Sequence, residues 1–188
     1  MEAVLRRELI TNKRICRVLG VASFIVLTSL GAFVRIPLPF TPVPITLQTF
    51  FVLLCGAILG SRLGITAQTS YLLIGALGLP IFTGAGAGLL YLFGPTGGYL
   101  FGFVLAAFFI GRVLPRVSDK RSSVFLVFLA GDLILFSTGV IWLKVLLGYS
   151  LTKLLIIGFF PFILGDLLKV TAATFIYLRV QHRIREIF

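Results

Sequence analysis

Four ionisable side chains stand inside otherwise apolar runs of the chain: Asp132, Lys144, Asp166 and Lys169. A charge held in a hydrocarbon environment costs a few kcal/mol or more, so each needs a partner, a route to the interface or a function. Asp166 and Lys169 are three apart in Gly165-Asp-Leu-Leu-Lys169, which on a helix puts them on one face. Such a pair either locks helix packing by neutralising itself, or offers an acceptor and a cation to a ligand. Spacing alone leaves both readings open. Asp132 has no partner at helical spacing, which points to a bond with another helix. Lys144 follows Trp142 by two residues, the pattern of an anchor whose ammonium snorkels to the interface.

Groups suited to covalent or hydrolytic chemistry are scarce. The single histidine, His182, lies beside Arg183 in a basic tail and reads as a solvated residue. Neither an H-E-x-x-H zinc motif nor a suitably placed aspartate pair stands out. There is no G-x-x-x-x-G-K-[ST] phosphate loop, so any ATPase driving this chain would be a partner. Cys16 and Cys55 each lack a C-x-x-C companion and imply neither a disulfide framework nor a metal site. We expect no catalytic residue, no metal and no cofactor.

The elements that carry these residues follow from composition. Of 188 residues, 59% are hydrophobic and 12% charged, with a mean hydropathy of +1.11. A soluble domain has about a quarter charged residues, so a water-soluble globule is excluded. Nineteen Phe and long aliphatic runs exclude disorder. An all-α integral membrane protein remains, forming a single transmembrane domain over residues 1–188. Spans of about 20 apolar residues are expected at 18–34, 46–61, 63–82, 96–114, 123–147 and 161–180. The second and third, separated by Ser61-Arg62, should form a tight hairpin. Residues 151–160 read as a short helix or re-entrant segment, because Pro161 suits the first turn of a helix.

The net charge of +11 does not form one basic face, so nucleic acid is not the expected partner. Thirteen cationic residues fall on one side of the six spans: Arg6, Arg7, Lys13, Arg14, Arg17, Arg62, Arg112, Arg116, Lys120, Arg121, Arg179, Arg183 and Arg185. Only Arg35 and Lys153 fall on the other. This asymmetry predicts cytoplasmic termini in a multi-pass protein of the cytoplasmic membrane. The basic, then apolar, N-terminal stretch lacks a small-x-small cleavage pattern and reads as a retained helix.

Two connections on the outer side are irregular. Arg35-Ile-Pro-Leu-Pro-Phe-Thr-Pro-Val-Pro-Ile45 carries four prolines, which favour an extended chain. It is either an apolar lid or a stiff connector. The second runs from Pro80 to Tyr99 and contains Gly84, Gly86, Gly88, Gly94, Gly97 and Gly98. Leu89 breaks any G-x-G-x-x-G fingerprint. Irregular backbone at membrane depth persists where protein or a cavity satisfies its polar groups, so a ligand cavity is preferred here over a simple turn.

Four segments together closely resemble the BioY family, biotin-binding S components of energy-coupling factor (ECF) transporters. They are Val43-Pro-Ile-Thr-Leu-Gln-Thr49, Gly75-Ala-Leu-Gly-Leu-Pro80, Leu92-Phe-Gly-Pro-Thr-Gly-Gly-Tyr-Leu100 and Pro161-Phe-Ile-Leu-Gly-Asp-Leu-Leu-Lys169. The resemblance is collinear from about Gly20 to Tyr177, with Leu164 standing where the family has proline. It implies six helices with a pocket opening to the extracellular face. It also implies uptake of biotin as the transported ligand, with an ECF transmembrane coupling protein and two ATPase subunits as partners. An S component for another vitamin and a membrane enzyme acting on a lipid substrate are the alternatives. In such a pocket Asp166 would accept from the ureido donors, and Lys169 would pair with Asp166 or meet the valerate carboxylate. Thr83 and the amides at Gly84 and Gly86 would contact an anion. Thr46, Gln48, Tyr91 and Tyr99 would complete the shell, or else be interfacial tyrosines and a helix-start threonine. On the first helix, Thr28 and Ala32 show the small-xxx-small spacing with which S components dock a transmembrane partner.

Overall fold

The computed structural model describes residues 12–187, with side chains to Gln181. Arg6 and Arg7, and the side chains of His182, Arg183 and Arg185, lie outside the described residues.

Helix α1 spans Lys13–Phe33, with Asn12 as its cap: the side-chain oxygen accepts from the Arg14 amide at 3.1 Å. This satisfies one of the orphan amides of the first turn. The proline connector then leaves and returns through two short strands, β1 (Arg35–Ile36) and β2 (Ile45–Thr46). They pair antiparallel, with Arg35 opposite Thr46 and Ile36 opposite Ile45. Extended chain was expected here; the ladder forms in the residues that flank the prolines, which themselves have no amide to donate.

Helix α2 covers Gln48–Ala76 but breaks at Gly60, whose φ of 75° and ψ of 179° leave the helical region. That positive φ is accessible to glycine at little cost. Gly64 packs against the Gly56 backbone, and Gln48 Nε2 donates to the Tyr71 hydroxyl at 2.7 Å. A straight helix would hold residues 48 and 71 about 35 Å apart. The element is therefore a hairpin of two antiparallel legs. Its second leg ends at Ala76, not at Phe82 as the hydropathy reading has it: Gly75-Ala-Leu-Gly-Leu-Pro80 unwinds the chain, with Gly78 at a φ of 108°.

A short helix α3 (Leu89–Leu92) interrupts the glycine-rich connector, and α4 (Gly97–Val113) follows. Next come α5 (Arg121–Leu147), α6 (Leu151–Gly158) and α7 (Ile163–Ile187). The segment before Pro161 is thus a short helix, and Pro161 sits in a 3₁₀ turn, Phe160–Phe162, that leads into α7. Among the described residues, five elements are long and apolar enough to cross a membrane. With the hairpin counted as two legs, six rods result. Many large apolar side chains face outward, among them Val18, Val26 and Leu30 on α1, a surface that suits lipid and not water.

The α2 hairpin packs most heavily against α4, and α4 against α5. Two apolar clusters fill the bundle. One gathers Tyr71, Phe82, Tyr99, Phe103, Phe136 and Phe162; the other gathers Leu53, Cys55, Ala67, Ile110, Phe128 and Tyr177. Thr28 and Ala32, the pair with docking spacing, are fully buried. Gln68 Nε2 donates to the Thr28 hydroxyl at 3.3 Å. This pair serves α1–α2 packing and presents no surface to a partner.

Candidate functional site

Helix α7 places Asp166 in its first turn and Lys169 one turn on. Lys169 Nζ donates to Asp166 Oδ1 at 2.8 Å. The Thr49 hydroxyl, from the first turn of α2, donates to the same oxygen at 2.9 Å and lies 3.0 Å from Lys169 Nζ. Three side chains from two helices thus close a triangle. Asp166 is only 3% exposed, and its Oδ2 has no hydrogen-bond partner among the described residues.

A second polar chain descends from the connectors. Gln48 Oε1 accepts from the hydroxyls of Thr83 at 2.9 Å and Thr46 at 3.4 Å. The Gln48 amide nitrogen donates to Tyr71, whose hydroxyl donates to the Ile81 carbonyl at 3.1 Å. The Tyr91 hydroxyl donates to the Thr83 carbonyl at 3.0 Å. The glycine-rich connector is therefore tied to the start of α2 by side chains, which fixes the position of Thr83.

Both groups open on one cavity of about 480 Å³. Val43 and Pro44 of the proline connector form part of its wall, and Thr41 of the same connector donates to the Ile157 carbonyl on α6 at 2.6 Å. The connector is thus a wall of the cavity, held down on α6, and more than a link. Apolar lining comes from Phe103, Phe136 and Phe162. The Phe136 ring meets Tyr99 edge-on at 5.9 Å and lies 5.6 Å from Phe162.

Seven of the nine residues expected from sequence line this cavity: Thr46, Gln48, Thr83, Tyr91, Tyr99, Asp166 and Lys169. The Tyr99 hydroxyl is already engaged, donating to the Gly158 carbonyl at 2.7 Å, so it offers its ring. Gly84 and Gly86 do not line the cavity. Gly84 (φ 74°) lies against the Arg35 guanidinium, and Gly86 lies against the Tyr91 ring. These glycines let side chains approach the backbone, a packing role that sequence cannot separate from ligand approach. Thr49 and the three phenylalanines were missed. Thr49 had a signal, since it stands beside Gln48 at the helix start; an apolar ring in an apolar span has none.

Asp132 departs from expectation. It is 4% exposed on α5, and its Oδ1 has no partner among the described residues. It bonds no neighbouring helix there, and instead lines a second cavity that Asp166 and Phe136 also line. Lys144 lies exposed in the last turn of α5, where an interfacial cation belongs. No group of three metal-ligating side chains occurs among the described residues.

A family model, the BioY family, matches residues 6–186. The probable biotin transporter BioY of Pyrococcus horikoshii is 40% identical over 161 residues, covering 86% of this chain and 93% of that protein. The biotin transporter BioY of Thermotoga maritima is 41% identical over 162 residues, covering 84% and 91%. The crystal structure of the S-component for biotin from an ECF-type ABC transporter superposes with a TM-score of 0.86 at 28% identity, covering 92% of this chain and 94% of that one.

Proposed function

This chain belongs to the BioY family, and on that premise we propose that its cavity between α2, α5 and α7 is where biotin binds. It is a multi-pass membrane protein of biotin transport, the S component of an ECF-type transporter, and not an enzyme.

The observation that carries the site is the Asp166–Lys169–Thr49 triangle at the edge of a cavity walled by aromatic and aliphatic side chains with a polar rim. Biotin combines two ureido N–H donors, a carbonyl, an apolar bicycle and an anionic tail. Asp166 Oδ2, buried without a protein partner, is an acceptor for the ureido donors. Lys169, whose side chain is 12% exposed, is the cation for either the carboxylate tail or the ring carbonyl. Phe103, Phe136, Phe162 and Tyr99 supply the apolar walls, and Gln48 and Thr83 the polar rim. We further propose, as membership of the family implies, a transmembrane coupling protein and two ATPase subunits as the energising partners; this sequence itself has no phosphate loop.

Binding of radiolabelled biotin to the detergent-purified chain tests the site; absence of binding at submicromolar concentration overturns it. Orientation is tested separately. With Cys16 and Cys55 replaced, cysteines at Lys120 and Gly86 are expected to label from opposite faces of the membrane, Gly86 from outside. Labelling of both from one face overturns the topology.

A further inference from the structure

Beside the proposed biotin pocket, and separated from it by Asp166 and Phe136, lies a second cavity between α5 and α7. Asp132 lines it from α5 and Asp166 from α7. The rest of the wall is Leu129, Leu133, Phe136, Phe159, Ile163 and Leu167, so no other ionisable group faces Asp132 there. Lys169, one turn beyond Asp166, is the remaining charge nearby, and its contacts are with Asp166 and Thr49.

The charges do not balance if every group is ionised. Two carboxylates and one ammonium leave one negative charge buried in a membrane-spanning bundle, and an uncompensated buried charge is strongly destabilising. The donors show which carboxylate can bear ionisation. Asp166 Oδ1 receives two, from Lys169 and Thr49. Among the described residues Asp132 receives none, and its Oδ1 is buried without a partner. A hard cation would need about six oxygen ligands, which this mostly hydrocarbon wall does not supply. A proton needs one.

We propose that Asp132 binds a proton in the folded protein, forming a neutral carboxylic acid behind the ligand pocket, while Asp166 stays ionised against Lys169. The second cavity is then a proton site, the α5–α7 seam carries no net charge, and Asp132 is a hydrogen-bond donor.

The sequence makes the test clean. Of six acidic residues, Asp132 and Asp166 alone lie in spans; Glu2, Glu8, Asp119 and Glu186 do not. Infrared spectroscopy of the full chain in lipid at neutral pH is expected to show one protonated-carboxyl C=O band. That band should vanish in Asp132→Asn and persist when Asp166→Asn is combined with Lys169→Met, which removes the cation that Asp132 could otherwise ionise against. Absence of the band in the parent overturns the proposal. A band that survives in Asp132→Asn overturns it equally, since the proton would then sit on Asp166. Should Asp132→Asn fail to fold, the parent and the Asp166→Asn, Lys169→Met double variant still decide: loss of the band in the double variant overturns the proposal. The measurement uses no biotin, so its failure and failure of the biotin site are separate results.

Discussion

The two apolar clusters of this bundle are built on different rules. In the half that holds the pocket, rings are spaced around a cavity, and the backbone departs from helix in both connectors. Where the hairpin meets α4, helices touch through their backbones: Gly56 lies against Ala107, and Gly111 lies against the Gly60–Ser61 turn. The larger connected polar groups follow the same division, the buried Gln68–Thr28 pair being a single bond outside the pocket. Gln48, Thr49, Thr83, Asp166 and Lys169 form connected groups around the pocket, whereas the other cluster is made of residues such as Leu53, Ile110 and Phe128. A cavity persists only where something holds its walls apart, and here that something is hydrogen bonding. Where no ligand must enter, small residues let the helices close completely.

This contrast can be broken at its strongest point first. Lys169→Met leaves Asp166 without its cation in a buried setting, and stability is expected to fall by about 3–5 kcal/mol, read as a lower melting temperature in detergent. A parent-like melting temperature would mean that the pair does not hold the pocket half together. The double change Asp166→Asn with Lys169→Met removes both charges. It should recover most of that stability yet bind biotin roughly 10- to 1000-fold more weakly, about 1.4–4 kcal/mol for lost charge-assisted contacts. Full-strength binding by the double variant would remove both residues from the site. The opposite half is tested by Gly111→Ala, where a methyl group would meet the hairpin backbone. A stability loss of about 1–3 kcal/mol is expected, with biotin affinity of the folded fraction unchanged. A loss of affinity there would show that the two halves are mechanically one.

What the sequence discloses divides along the same line. Hydropathy finds the rods, because a bilayer imposes length, and it finds Asp166 and Lys169, because charges inside spans are conspicuous. The hairpin is legible from Ser61-Arg62 between two apolar runs, though its hinge is Gly60. Residues acting through packing are less visible. Phe103, Phe136 and Phe162 look the same in sequence whether they face lipid or a ligand. Gly84 and Gly86 announce a close approach without saying that Arg35 and Tyr91 make it. Asp132 is conspicuous as an intramembrane acid, but its lack of a bonding partner is visible only in three dimensions.

The fold-back at Gly60 has a consequence for the membrane itself. At 1.5 Å per residue the legs of residues 48–59 and 61–76 reach about 18 and 24 Å, short of a hydrocarbon layer about 30 Å thick. Helices α1 and α5 do not share that deficit, with 21 and 27 residues. On the hairpin's side the bilayer must thin to meet the protein, while on the α5 side it need not. Hydrophobic mismatch of this lopsided kind costs fractions of a kcal/mol per ångström. It makes the molecule a wedge in the plane of the membrane, one that settles most easily among short acyl chains and tilts among long ones.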